Sequence, residues 1–141
     1  MSYLDTSVIV ASSSSEASTQ RIQAWLGEQD PALLMTSDWT VPEMSSALAI
    51  RSRDRRITLE QRAATLALFD RLTAESLTIL PISGSHFPRA ARFVDQHTPG
   101  LRAGDALHLA TASDHGAAVQ TPDKRLAEAG PLVGVPTRQL A

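Results

Sequence analysis

The stretch LRAGDALHLATASDHGAAVQTPD, residues 101–123, decides the fold. Ala106, Leu109, Ala110 and Ser113 recur at the i, i+3, i+4, i+7 spacing of one helix face, which predicts a helix over Ala103–His115. A face of small residues lets a helix approach its neighbours closely, so this one is expected to be buried. Gly116 ends it, and Ala117–Thr121 follows as a short apolar strand. Asp105 opens the helix and Asp123 stands two residues past the strand. Helix, glycine, strand and acid in that order suit a parallel α/β sheet.

The same alternation runs through the rest of the chain. Ser2–Asp5, continuing to Val10, reads as a buried strand entering a turn, and Ser12–Ser15 as a loop or frayed helix start. Glu16–Gln29 carries Ile22, Trp25 and Leu26 at helical spacing; Pro31 ends it, and Leu33–Thr36 is a second apolar strand. Val41–Arg56 is a helix with Pro42 in its first turn and Met44, Ala47 and Leu48 on one face. Thr58 caps the next helix, which runs to about Ala74, and Gln61 completes a capping box. Leu77–Ile82 is a third strand. Ser85–His97 is a helix with Ala90, Phe93 and Val94 inward, before Pro99-Gly100 breaks the chain. Beyond the opening stretch, Asp123–Ala129 is a short helix and Val133–Pro136 a candidate fifth strand. Residues 1–141 thus read as one domain, an open parallel sheet with helices on both faces.

Composition narrows the chemistry. A chain of 141 residues can bury a real core. The absence of cysteine excludes disulfides, zinc thiolates and thiol nucleophiles, and fits a reducing compartment. No stretch approaches the roughly 18 apolar residues of a membrane span, and the N-terminus lacks a basic signal region. A cytoplasmic protein with no membrane contact is expected. Net charge is −2, so no global basic field announces nucleic acid. The basic residues are nonetheless twelve arginines and one lysine. Arginine grips phosphate through a planar fork, although genomic base composition produces the same bias.

Four acids, Asp5, Glu43, Asp105 and Asp123, stand at strand ends or in first helical turns. Doubly wound sheets bind ligands beyond the carboxyl ends of their strands, where strand order reverses. All four can reach that edge. Close carboxylates repel, and a hard divalent cation such as Mg²⁺ or Mn²⁺ removes the conflict. Such an ion can polarise a phosphate and activate water, which points to phosphodiester hydrolysis. Taken singly, each acid has a plainer reading. Asp5 suits a turn or cap, and Glu43 and Asp105 suit the helix dipole. Asp123 suits the first turn of a helix capped by Thr121 with Pro122 at its first position. The plainer reading must hold four times over at one edge.

No rival constellation stands out. His108, one turn after Asp105, either orients that acid or faces the core; His86, His97 and His115 sit near segment ends, where exposure is the default. The serines lack a nucleophile elbow, and neither a dinucleotide fingerprint nor a phosphate-binding loop is present. Arg51, Arg53, Arg55 and Arg56 form the one local basic cluster, with Arg51 about 12 Å along the helix from Glu43. They suit a phosphate backbone or, equally, a solvated helix end. Arg102, Lys124 and Arg125 flank Asp105 and Asp123 and are better placed for phosphate.

Four runs carry a resemblance. They are Tyr3-Leu4-Asp5-Thr6-Ser7, Val41-Pro42-Glu43-Met44-Ser45-Ser46-Ala47-Leu48, Leu101 to Ala110, and Thr121-Pro122-Asp123-Lys124-Arg125-Leu126. On these the chain resembles the PIN-domain ribonucleases, specifically VapC toxins of bacterial toxin–antitoxin modules. The third run is the most specific. The resemblance implies a five-stranded parallel sheet, Mg²⁺- or Mn²⁺-dependent RNA cleavage, a homodimer and inhibition by a small VapB-like antitoxin. It assigns the catalytic and metal site to Asp5, Glu43, Asp105 and Asp123, with Asp5 and Asp105 as direct ligands and Ser7 and Thr121 in support. The chain departs from the pattern at Ser12–Ser15, where bulkier residues are expected, and at Pro122, where a small residue is more usual. Two other functions fit the same fold: an RNA-processing or DNA-cutting housekeeping nuclease, and a silent RNA- or protein-binding module.

Overall fold

The computed structural model describes residues 1–96 and 100–140. Five strands, β1 (Ser2–Leu4), β2 (Leu34–Ser37), β3 (Thr78–Leu80), β4 (Ala118–Thr121) and β5 (Thr137–Gln139), form one sheet in the order β3-β2-β1-β4-β5. Every pairing is parallel. Strand order therefore runs outward from β1 in both directions, and the switch lies between β1 and β4. Seven helices connect them: α1 (Thr6–Ser12), α2 (Thr19–Gly27), α3 (Thr40–Arg53), α4 (Leu59–Glu75), α5 (His86–Asp95), α6 (Ala103–Asp114) and α7 (Lys124–Leu132).

The sheet divides two layers of core. Leu4 of β1 packs with Val8, Ile9, Ile22, Met44, Leu48 and Phe69 of α1–α4. Its neighbour Tyr3 packs with Leu109 and Leu126 of α6 and α7. Adjacent strand residues point to opposite faces, so one short strand organises both layers. The small-residue face of α6 is buried as its spacing predicts: Ala106, Ala110 and Ala112 are fully covered, and α5 is its closest helical neighbour. The capping box of α4 is complete, with Thr58 Oγ1 accepting from Gln61 N–H and Gln61 Oε1 accepting from Thr58 N–H.

The structure corrects several expectations. Val8–Ala11 is helix rather than strand. The β-branched run favours a strand locally, but the Asp5 carboxylate accepts the Val8 N–H at 3.2 Å and starts a helix instead. The serine patch closes that helix: the Ser13 N–H and the hydroxyls of Ser12, Ser13 and Ser14 all donate to the Ile9 and Val10 carbonyls of its last turn. The fifth strand is Thr137–Gln139, not Val133–Pro136. Helix α7 runs on through Pro131 to Leu132, and Gly134 turns the chain with φ +82°. Val135 is then buried in the core instead of lying on the sheet. The cap of α7 is Asp123 rather than Thr121, accepting from the N–H groups of Arg125 and Leu126. Val94 is on the exposed side of α5. His97 and Pro99 lie outside the described residues.

Candidate active site

Each strand's carboxyl end delivers its side chains to one edge. Asp5 follows β1 and caps α1; Glu43 lies in the first turn of α3; Asp105 lies in the first turn of α6; Asp123 follows β4 and caps α7. All four line one open cleft of about 390 Å³, together with Thr6, Ser7 and His108. Four helix N-termini face these carboxylates, and their partial positive charge offsets some of the mutual repulsion.

Asp5 is the most constrained. It is 5% exposed. Ser7 Oγ lies 2.8 and 2.7 Å from its two oxygens, and Thr121 Oγ1 donates to Oδ2 at 2.9 Å. Thr121 Oγ1 also accepts the Asp123 N–H at 3.0 Å, so one hydroxyl ties the first acid to the fourth. Burial pushes the Asp5 carboxyl above the ordinary range, against the pull of the His108 imidazole and the surrounding donors. Asp105 is half-buried and is also raised, chiefly by burial, with the charges of Asp123 and Glu43 adding to it and His108 opposing.

Glu43 is treated differently. Burial works to raise its pKa, but hydrogen bonding and charge from His108, then Thr6, leave it below the usual range. Of the two readings of His108, the one facing the core holds. The residue is 2% exposed and bonds Glu43 Oε1 through Nε2, rather than orienting Asp105. Its Nδ1 meets the Tyr3 hydroxyl at 2.7 Å, and that hydroxyl meets Ser37 Oγ, also at 2.7 Å. The chain closes with every proton used when Ser37 donates to Tyr3, Tyr3 to Nδ1 and Nε2–H to Glu43. Burial holds the Tyr3 phenol far above its normal pKa, so its proton stays in place. Thr6 Oγ1 donates to the same Glu43 oxygen at 2.7 Å. Sequence spacing gave no sign of Tyr3 or Ser37, because their link to Glu43 exists only in the fold.

The donor set suits a hard cation. Four carboxylates supply oxygen, and the one imidazole beside them is already engaged by Tyr3 and Glu43. Among the described residues, no three carboxylate or imidazole groups converge closely enough to enclose an ion by themselves. A bound ion would then draw part of its shell from water and phosphate oxygens, as Mg²⁺ commonly does.

The arginines separate. Arg51 lines the far end of the cleft, where its guanidinium pairs with Glu16 at 2.9 Å. Arg53 is exposed and lines no cleft with the acids, while Arg55 and Arg56 border a different depression beside Thr58. Arg56 reaches Asp54 at 3.4 Å. Arg102 and Arg125 do stand beside the acids, in a second cleft that shares Glu43, Asp105 and Asp123. Lys124 points elsewhere, toward Glu128 at 3.7 Å. His86 is buried instead of exposed: it accepts the Ser83 N–H through Nδ1 and meets Asp114 through Nε2. His115 is half-buried, against the Thr111 carbonyl.

A family model described as PIN domain matches residues 2–131. No curated protein matches the chain in sequence. Among solved structures, it is similar to FitAcB from Neisseria gonorrhoeae, at 23% identity over 97% of this chain and 96% of that one, with a TM-score of 0.69. It is also similar to VapC20 of Mycobacterium tuberculosis, described as a Sarcin-Ricin loop cleaving toxin, at 18% identity, 92% and 95% coverage and a TM-score of 0.71. A third is the DNA-bound VapBC from Salmonella typhimurium, at 15% identity, 99% and 98% coverage and a TM-score of 0.73. At these identities the likeness is one of fold.

Proposed function

From the premise that the chain belongs to the PIN domain family, we propose that it is a Mg²⁺- or Mn²⁺-dependent endoribonuclease, the VapC-type toxin of a toxin–antitoxin pair. The observation that carries this is Asp5. The fold buries a carboxylate in a cleft lined by three others, against the cost of its desolvation. A silent binding module gains nothing from that cost; a metal-dependent hydrolase needs it.

Asp5, Asp105, Glu43 and Asp123 would hold the ion. When bound, it supplies positive charge to the phosphoryl oxygens and lowers the pKa of an attacking water. The chain's residues do the rest. Ser7 and Thr121 hold the Asp5 oxygens in one orientation. His108 and Thr6 keep Glu43 ionised and turned toward the cleft. Asp123 stands exposed at the mouth. The acids border two adjoining clefts rather than the end of a closed pocket. A strand can therefore pass across them with nucleotides on both sides, which favours internal cutting.

Similar structures include a toxin–antitoxin complex from Klebsiella pneumoniae and a member of the VapBC family of toxin–antitoxin systems, and a basic antitoxin segment suits the same acidic cleft. Beside the acids, Ala47 and Ile50 offer apolar footing. A homodimer in the cytoplasm completes the proposal. No helix among the described residues is long and apolar enough to cross a membrane.

The test is cleavage of total RNA by the purified chain with Mg²⁺, with EDTA, and with the small protein encoded beside it. Metal-dependent cutting that this neighbour suppresses is expected, with none from Asp5→Asn. Cutting that survives exhaustive chelation would overturn the reading.

A further inference from the structure

The second cleft, about 380 Å³, has walls unlike the first. Glu43, Asp105 and Asp123 form the ridge between the two. On the first side the lining cation, Arg51, is held by Glu16. On the second, Arg102 and Arg125 are exposed and make no ion pair among the described residues, although carboxylates stand beside them. Arg125 has only a long contact, 3.5 Å, to the Gly100 carbonyl. Two guanidinium forks are thus left available at the rim of an acidic site. Phosphate is the ligand whose geometry they match.

The third wall is aromatic. Trp39 is half-buried in this cleft, with its Nε1 buried on the side of the Glu43 carboxylate. Its position depends on Gly104. A Cβ there would lie 2.9 Å from Glu43 Oε2 and 3.3 Å from Trp39 Nε1. The bare glycine therefore lets an indole and a carboxylate of the acidic site share one wall. An aromatic surface beside free arginines is the pairing that binds single-stranded nucleic acid, by base stacking and backbone charge.

We propose that this cleft is a nucleotide subsite for single-stranded RNA. Arg102 and Arg125 hold the phosphate next to the scissile one, and the adjoining base rests against Trp39. The inference rests on the nuclease reading for its substrate, but it concerns binding and is testable without catalysis. It also gives the strand a polarity, since the grip lies on one side of the acids only.

The experiment measures anisotropy of a labelled single-stranded oligouridylate with the full chain in EDTA, across a salt series. Arg102→Gln with Arg125→Gln should weaken binding tenfold or more. It should also flatten the log K against log salt slope by about 1.4, two contacts at roughly 0.7 each. Arg71→Gln with Arg92→Gln, which removes the same charge from exposed positions outside both clefts, should leave the slope unchanged. Trp39→Leu should weaken binding about fivefold or more, and Trp39→Phe should restore most of it. RNA should quench tryptophan emission in the wild type but not in Trp39→Phe, where Trp25 alone remains. An unchanged slope in the arginine pair, or quenching that persists in Trp39→Phe, overturns the subsite. So does an arginine pair that loses the antitoxin while keeping RNA. The two readings fail separately. Wild-type binding in the arginine pair alongside a dead Asp5→Asn variant refutes only the subsite. Slope and quenching as expected without any Mg²⁺-dependent cutting refute only the nuclease.

Discussion

Replacing His108 with leucine isolates the buried relay that sets the charge of Glu43. The substitution keeps bulk on α6 but removes the hydrogen bonds from Nε2 to Glu43 Oε1 and between Nδ1 and the Tyr3 hydroxyl, with a longer contact of Nε2 to Thr6 Oγ1 at 3.3 Å. Neither partner is left wholly unsatisfied. Tyr3 keeps Ser37, and Glu43 keeps Thr6 and a side chain 30% exposed to water. The loss is then one neutral bond, about 1 kcal/mol, and one bond to a charged group, roughly 1.5–3 kcal/mol and at the low end because water reaches Glu43. Together they come to about 2–3 kcal/mol. For a chain of this size that is a fall in Tm on the order of 6–15 °C. Tyr3→Phe removes only the neutral bond and should cost about 1 kcal/mol.

The two substitutions share one bond, so they should not add; a double-mutant cycle reads the coupling. The cycle is measured by urea unfolding in EDTA, where no ion contributes, and calorimetric Mg²⁺ titration follows. His108→Leu should bind Mg²⁺ more weakly, because Glu43 loses the partner that holds it ionised and oriented. His108→Gln, which keeps a donor, should recover part of both losses. A leucine variant within about 0.5 kcal/mol of wild type, with undiminished Mg²⁺ affinity, would show that His108 is only packing.

Two other outcomes follow from the site. Asp105 has a raised folded pKa, so its contribution is full below its ordinary value of 3.8 and is lost as pH rises through the folded value. In EDTA, Asp105→Asn should therefore gain Tm relative to wild type as pH rises toward 7, while losing cleavage and Mg²⁺-induced stabilisation; a difference constant with pH would refute this. Gly104→Ala should crowd the Glu43 carboxylate at 2.9 Å, cutting activity about tenfold for a stability cost within about 1 kcal/mol; full activity would show that Glu43 need not stand where it does.

What the sequence made legible follows from what each signal measures. The alanine face of Ala103–Asp114 and the Thr58/Gln61 box are local patterns, and both appear where expected. The convergence of four acids was readable because parallel strands send their carboxyl ends to one edge. The misreadings share a cause. Val8-Ile9-Val10 has strand-like residues, but burial between the sheet and α2 and α3 suits a helix as well, and Asp5 settled the choice by capping it. His86 looked exposed at a segment end, but Asp114, 28 residues away, gives it a buried partner. The Arg51–Arg56 cluster looked like one patch because it is contiguous in sequence. The helix end divides it among depressions, with Arg51 turned to Glu16 and bordering one of them together with Arg56.

The acids themselves are not equivalent, and the difference is informative. Asp5 is surrounded by neutral donors, two hydroxyls and one amide, that fix its oxygens without supplying positive charge. Glu43 has an imidazole and is held ionised. Asp105 is pushed toward protonation by burial and then by the charges of Asp123 and Glu43, with the His108 field opposing. A site built for its own stability would spread such compensation evenly or dispense with the acids. Here one carboxylate is fixed in direction, one is fixed in charge, and one is left raised by burial and repulsion that His108 only partly offsets. A bound cation would relieve the last condition, which Arg102 and Arg125 do not, since they stand close by without pairing to it. The cations that could have neutralised the site are held off it, as a substrate phosphate beside the metal would require.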